Sequence, residues 1–411
     1  MRSLLTSTFI VLATLAAGQE NLLIDGQNIF EGTTKNWMIT ANGWADHGSN
    51  AITNTFVNRF LYGGYISEDN KSAVAEGLTT RNSFGADGGG NIALTHIRNS
   101  KPWAFQVGYG FTQVQRIDFD KALFRLIFYG NAELGEDVVN IDNSESQSQG
   151  FHKAFFGLVD TKTGSSVKIG IYAGQNFNQT ELAESTLQTA YESSNGFTYP
   201  SSIAIETSGF TETNGNNRNG LFSTGYGVGI DANINKKFSF GTVGVGVQDF
   251  GLMYWTDLET RSSDGLTQFD GFEIDFDGNG IRIGSTDNFT DSLFNIQTDS
   301  RSQTELLPWR LSATFISKAE KDLFTSAHIA VRPSVFAIPH LTIALNYKLK
   351  ENSFLWVSGS AGGPEIFGLG LGAQIKVLDD TFVTVSSRHA TGWISSDGLA
   401  RSVHFQIIQR I

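Results

Sequence analysis

The sequence predicts an all-β fold, a transmembrane antiparallel β-barrel of about 14 strands, within a range of roughly 12–16. Three observations carry this. Apolar and small polar residues alternate with the strand period of two, as in Tyr226, Val228, Ile230, Ala232 and Ile234 against Gly225, Gly227, Gly229, Asp231 and Asn233. The polar face is mostly Gly, Ser, Thr, Asn and Gln, and only 17% of the 411 residues are charged, against roughly 25% in soluble proteins. The cleanest runs extend about 9–12 residues, enough to cross a bilayer at a tilt and longer than the ~5–6 of globular strands.

Composition narrows the alternatives. Phenylalanine at 32 and abundant aliphatics exclude a disordered chain, and the lack of cysteine excludes a disulfide scaffold. A net charge of −12 argues against nucleic acid as a partner.

Along the chain, Arg2, the apolar stretch Leu4–Leu15 and the small residues Ala16-Ala17-Gly18 read as a secretory signal peptide over 1–18. Residues 19–87 read as an N-terminal segment with short helices, and 88–411 as the barrel. Within that segment Trp37–Trp44 looks extended. Ile52, Phe56 and Phe60 recur at helical spacing over 51–62, ended by Gly63-Gly64, and Ser67 caps a second helix that buries Val74 and Leu78. Such a segment either folds into the lumen as a hatch or forms a periplasmic collar.

Further alternating runs include Trp103–Gln113, Leu341–Tyr347 and Ile366–Val377. Two helices interrupt them in this reading: Lys121–Tyr129, stopped by Gly130-Asn131, and a Thr180-capped helix over Glu181–Glu192. Near the end Val403, Phe405 and Ile407 oppose Ser402, His404, Gln406 and Arg410, so the last strand can close on the first, with Arg410 at a lumen or interface position. Trp37, Trp103, Tyr254, Trp255, Trp309, Trp356 and Trp393 fall near strand ends, where a barrel places interfacial rings. A secreted β-sandwich is the competing fold.

Several stretches resemble a family of uncharacterised outer-membrane barrels of the Bacteroidota, a domain of unknown function, itself similar to the long-chain fatty acid transporter type of barrel with an N-terminal hatch. They are Leu126–Asn131, Val247–Trp255, Phe269–Ile274 and Glu305–Leu311. The resemblance implies location and architecture, and brings no catalytic residue.

Chemical motifs are sparse. Asp275, Asp277 and Asn279, followed by Gly280, match the first half of an EF-hand calcium loop, but its twelfth position is Thr286 instead of Glu, and a turn explains the same residues. The seven histidines show no zinc spacing, and no Gly-x-Ser-x-Gly elbow occurs. The pairs His404/Ser402 and Ser386/Arg388 share faces, as chance pairs on a polar lumen do. The expectation is no cofactor and no enzyme, with the outer-membrane bilayer as partner. Function divides between a plugged barrel that binds or passes small apolar molecules and a non-conducting barrel that serves other envelope proteins in an assembly or secretion complex. A barrel enzyme is the third reading.

Overall fold

The computed structural model describes residues 35–98, 101–130, 137–142, 144–194, 197–216, 224–269, 274–277, 280–283, 297–318, 322–350, 353–363, 367–395 and 397–411. Its strands are β1 (Trp37–Ser49), β2 (Arg81–His96), β3 (Trp103–Asp120), β4 (Val139–Asn140), β5 (Ser144–Asp160), β6 (Ser166–Ser194), β7 (Phe197–Asn216), β8 (Gly225–Phe238), β9 (Gly241–Phe269), β10 (Ile274–Asp277) and β11 (Gly280–Ile283). The second half contributes β12 (Gln297–Leu306), β13 (Arg310–Ser317), β14 (Leu323–Arg332), β15 (Phe336–Lys350), β16 (Ser353–Gly362), β17 (Phe367–Leu378), β18 (Thr381–Ser387) and β19 (Ala400–Arg410). All but β10 and β11 form one sheet that closes on itself as a 14-strand antiparallel ring. β7 and β8 share one position in the ring, as do β12 and β13, and β4 is a stub beside β6.

Closure is made by β1 and β19, which pair from Met38↔Arg410 to Gly48↔Ala400. The rim is sealed by Trp37 N–H to Ile411 O at 3.2 Å and Ile411 N–H to Trp37 O at 2.8 Å. A closed sheet leaves no unpaired edge, which is what allows strands to live in hydrocarbon.

The alternation sorts as the sequence requires. Val107, Tyr226, Val228, Ile230, Ile343, Leu369 and Leu371 are exposed on the outer face, while Thr112, Asn235, Asn346, Ser358 and Gln374 on the opposite register are buried inside. Apolar side chains cover the outside all round the ring, an area far beyond the few hundred Å² a water-soluble surface tolerates. The fold is a transmembrane β-barrel, not a sandwich. Arg410 takes the inward register near the rim, its guanidinium 5.0 Å from the Phe382 ring. Inward glycines relieve crowding: a Cβ on Gly372 would lie 2.2 Å from the Trp356 ring.

Four helices are described: α1 (Asn54–Tyr62), α2 (Glu68–Gly77), α3 (Lys121–Tyr129) and α4 (Thr391–Ile394). The first three match the helices read from sequence, with Thr53, Ser67 and Asp120 as their N-caps. Their placement corrects that reading. Strands β1 and β2 occupy 37–49 and 81–96, so the barrel begins at Trp37 and not at residue 88. α1 and α2 connect β1 to β2 at the end of the barrel opposite the chain's rim at Trp37 and Ile411.

These helices also lie outside the wall. The β1–β2 and β2–β3 registers run without a shift, so Phe84, Ala86, Ile117 and Phe119 share the outward face of Ile92, Leu94, Phe105 and Val107. They are shielded because Val57 of α1 packs on Phe84 and Ala86, and Phe56, Val74 and Phe124 pack with Phe119. The 54–77 helices are neither a lumen hatch nor a collar at the termini's rim. Residues 1–34, which include the expected signal peptide, lie outside the described residues.

Two further expectations fail. Glu181–Glu192 is part of the 29-residue β6, not a helix, because both its edges are used, by β5 at Ser144↔Leu182 and by β7 from Asn176↔Asn216 to Ser194↔Phe197. Pairing on two sides outweighs the weak helical spacing of Ala183, Leu187 and Ala190. Trp255 and Trp356 do not anchor at the membrane interface. Both take the inward register and are buried, whereas Trp37, Trp103, Tyr254 and Trp393 are exposed.

Candidate lumen site

Ionisable side chains on the inward register of membrane strands are costly unless paired, so their clustering marks the working part of a barrel. Here they meet in the lumen. Lys153 of β5 donates to both oxygens of Asp231 on β8, at 2.7 and 2.6 Å, and to Oδ1 of Asp249 on β9 at 2.8 Å. Tyr172 of β6 donates its hydroxyl to the same Asp249 oxygen at 2.9 Å. The other Asp249 oxygen lies 3.9 Å from Arg332 Nη2. Arg332, at the end of β14, pairs through Nη1 with Asp87 of β2, which also accepts from Trp44 Nε1 at 2.8 Å. The chain of charges thus runs from β5 through β8, β9 and β14 to β2, elements that are not all neighbours in the ring, and so it bridges the lumen.

Local backbone irregularities aim these groups. The β8–β9 register shifts between Ile230 and Ala232, and Asp249 sits there with φ of 51°. Few residues other than glycine adopt a left-handed conformation, and a bulge of this kind re-aims a side chain out of the ladder. Its backbone N–H is held by Asp231 Oδ1 at 2.9 Å. Beside it, Leu307-Pro308-Trp309 separates β12 from β13, which frees the Pro308 carbonyl to accept from Arg332 Nε at 3.1 Å. The β14–β15 corner then crosses to the opposite wall. Arg116 of β3 donates to Pro333 O at 2.9 Å, and a Cβ on Gly85 of β2 would sit 2.3 Å from the Phe336 ring and 2.5 Å from Val335 O.

On the β17–β19 side a second pair forms between Asp46 of β1 and Arg388, and Arg388 Nη1 lies 3.4 Å from His340 Nδ1. Asp46, Asp87, Arg310, Arg332, Arg388, His340 and His389 line a cavity of about 50 Å³ together with Ala330, Val335, Phe336 and Ile338. That is room for a few waters.

Against the charge bridge lies an apolar layer that also faces inward. Phe151, Tyr172, Phe177, Met253, Trp255, Leu258 and Leu307 pack together with almost no solvent exposure. The Trp255 ring is 5.2 Å from Phe177, and a Cβ on Gly174 would lie 2.3 Å from it. Its indole N–H is buried without a hydrogen-bond partner.

A family of unknown function, DUF5723, matches residues 42–382, well over half of the chain. The chain belongs to the DUF5723 family. No curated protein matches it. Among solved structures it is similar to the P. putida toluene transporter TodX (11% identity, TM-score 0.36, 96% of this chain and 94% of that one). It is also similar to the Ralstonia pickettii toluene transporter TbuX (9%, 0.40, 92% and 90%) and to a Pseudomonas aeruginosa FadL homologue (9%, 0.41, 97% and 95%). None of these scores reaches one half, and nothing about this chain's cargo follows from them.

Two of the four family stretches read from sequence reach the site. Val247–Trp255 contains the bulge at Asp249 and the inward Met253 and Trp255, and Glu305–Leu311 contains the β12–β13 break. In this DUF5723 chain Lys153, Asp231, Arg332, Asp87, Asp46 and Arg388 were not singled out as a site. The usable signal was register for Asp46, Asp87, Asp231 and Arg332, which are ionisable residues on the inward face of alternating strands; Lys153 shares its face with Phe151 and Phe155, and Arg388 falls just past β18.

The metal candidate falls elsewhere. Asp275 and Asp277 lie on β10, which pairs with β11 at Asp275↔Arg282 and Asp277↔Gly280. Asn279 lies outside the described residues. Of the shared-face pairs, Ser386 lies across from His404, and Ser402 Oγ accepts from the backbone N–H groups of Arg388 and His389 at 2.7 and 3.2 Å. That hydroxyl ties down the β18–β19 connection.

Proposed function

We propose that this protein is an outer-membrane barrel that binds or passes small apolar molecules through a lumen closed by its charge bridge. The observation that supports this most is the inward aromatic layer around Trp255, lying against Lys153, Asp231 and Asp249. A barrel that only conducted ions would gain from water there, and an apolar layer in the lumen instead becomes contact area for an apolar guest once the bridge parts. Passage requires the bridge to part, because its ion pairs join opposite walls of the ring.

The reading is tested on the full chain purified in detergent. Toluene or a medium-chain alkane should quench Trp fluorescence saturably, and Trp255→Phe should reduce that signal. In planar bilayers the wild type should conduct little, and Asp249→Asn should conduct steadily. A large steady conductance in the wild type, with no saturable quenching, defeats the proposal.

A scaffold role has one supporting observation. The α1–α3 bundle lies outside the wall and leaves Phe60, Tyr65 and Ile127 exposed. Co-purification of a stoichiometric envelope protein that is lost on deleting residues 54–77 would favour it.

A further inference from the structure

The outward face of the wall records where the bilayer ends. On β3, β5 and β6 that face is apolar up to Phe111 and Ala173, with His152 between them 2.6 Å through Nδ1 from the Tyr109 hydroxyl. Beyond that level the same face carries Gln113, Gln115, Ser148 and Asn178, and Gln113 Nε2 donates to Ser148 Oγ at 2.9 Å. Residues 103–111 are therefore the part of β3 that crosses hydrocarbon, close to the roughly 9–11 residues a tilted membrane strand needs. The helices begin where this band stops. Gln113 faces Gly88 of β2, and Ala86 and Phe84, on which Val57 of α1 packs, lie two and four residues further on. For a strand rising ~3.4 Å per residue at a tilt of about 40°, that is roughly 5–10 Å past the hydrocarbon edge. The headgroup layer is itself about 5–7 Å deep on each side.

At this height the helices expose unlike residues. α2 exposes Glu68, Asp69, Ser72 and Glu76. α1, α3 and the loop after α1 instead expose Phe60, Ile127 and Tyr65, and the two helices hold Arg59, Lys121 and Arg125 but no acidic residue. The apolar exposure continues onto α4, where Trp393 and Ile394 are exposed and Gly392 O accepts from Asn54 of α1. Apolar and aromatic side chains mixed with Lys and Arg are what a helix lying in a membrane interface presents.

We propose that the α1–α3 bundle is an interfacial anchor whose partner is the bilayer itself. It lies in the headgroup layer at the end of the barrel away from Trp37 and Ile411, continuous with the lipid-facing belt of β2 and β3. Phe60, Tyr65 and Ile127 enter the acyl boundary, and Arg59, Lys121 and Arg125 meet lipid phosphates. α2 faces the water. The apolar patch that a scaffold would offer to a protein is, on this inference, already occupied by lipid. Nothing in it depends on the apolar-cargo reading, and its test needs no ligand, so the two fail separately.

The chain has no cysteine, so a single fluorophore can be placed at will. The full chain carrying Ile127→Cys, labelled and reconstituted without other proteins, is studied in phosphatidylcholine vesicles with quenchers at the headgroup or at mid-chain. The Ile127→Cys label should be quenched most from the headgroup side. Val107→Cys, in the crossing part of β3, should be quenched most from mid-chain, and Glu76→Cys on α2 should lose little signal to either. Should Ile127→Cys fail to show the folded barrel's faster unboiled migration on a gel, Tyr65→Cys replaces it with the same expectation. Adding phosphatidylglycerol should strengthen headgroup quenching of the Ile127→Cys label, and Arg59→Gln should lose part of that gain. A folded Ile127→Cys or Tyr65→Cys label quenched no more than the Glu76→Cys label overturns the proposal and leaves the patch to a protein partner. Equal quenching with and without phosphatidylglycerol overturns the part assigned to the basic residues.

Discussion

The two halves of the wall are built from the same alternating pattern and do different work. From β14 to β19 the strands are 7–15 residues long and pair in sequence, each with the next. From β5 to β13 two strands reach 29 residues, two ring positions are broken in mid-course, and Asp249 and Asp257 adopt left-handed backbone. Irregularity costs ladder hydrogen bonds and backbone strain, and it persists where it aims side chains. In the broken half it aims Asp249 at Lys153 and frees Pro308 to hold Arg332. The regular half builds an even wall that lends Arg332 and Arg388 to the lumen, and the broken half supplies the aromatic layer and the bulge that aims Asp249.

The comparison breaks most readily at Asp249. Replacing it with Ala leaves Lys153 and Arg332 facing each other across the lost carboxylate, and removing one partner of a buried pair costs about 3–5 kcal/mol. The temperature at which the barrel loses its fast gel migration should fall, and bilayer conductance should rise. Unchanged conductance in folded Asp249→Ala would show that the bridge does not close the lumen.

A second test asks whether the halves differ only inside. Val228 in the broken half and Leu371 in the regular half are both exposed to lipid. Arg at either position should cost about 2–4 kcal/mol if it lies near the bilayer midplane, read as the same loss of folded yield in lipid vesicles. Strongly unequal losses would mean that the lipid-facing surface also divides in two.

How much of this the sequence showed follows the same division. Alternation in Phe367–Val377 and Leu341–Tyr347 was plain because a regular strand between regular neighbours needs no other information. Glu181–Glu192 was misread as a helix because the extension of β6 carries Thr and Glu on both faces, with no apolar face to show a period of two. Trp255 and Trp356 were misassigned for a related reason. A tryptophan near a strand end suits an interface or a lumen equally well, and only the glycine beneath each ring, Gly174 or Gly372, records which way it turns. The cross-lumen pairs lay beyond reach, since Asp87 and Arg332 are joined by the closure of the ring and by nothing in their local sequence.

Those two glycines give a smaller and more discriminating test. A Cβ at Gly174 would stand 2.3 Å from the Trp255 ring, and one at Gly372 2.2 Å from the Trp356 ring. Valine at either site overpacks the lumen by about 1–3 kcal/mol, so the thermal penalties should be alike. Only Gly174→Val should alter quenching by an apolar ligand, because only Trp255 belongs to the aromatic layer. If Gly372→Val changes ligand quenching as much, the layer is not the ligand's site.

The smallest effect is expected outside the wall, where the helices can be loosened without opening the ring. Thr53 caps α1 by accepting from the Phe56 N–H at 3.3 Å. The next residue, Asn54, ties the helix to α4 and to the start of β19 through Gly392 O and Ala400 O, at 3.3 and 3.2 Å. Loss of a threonine cap costs about 1 kcal/mol, so Thr53→Ala should speed amide exchange in 54–62 about fivefold and leave exchange in β1 and β2 unchanged. The asymmetry has a physical cause: α1 is held by packing on Phe84 and Ala86 and by a few side-chain bonds, while β1 is held by continuous ladders to β2 and β19. Exchange that rose equally in β1 would make the helical cover part of the barrel's cooperative unit, and the outer bundle would then count as wall.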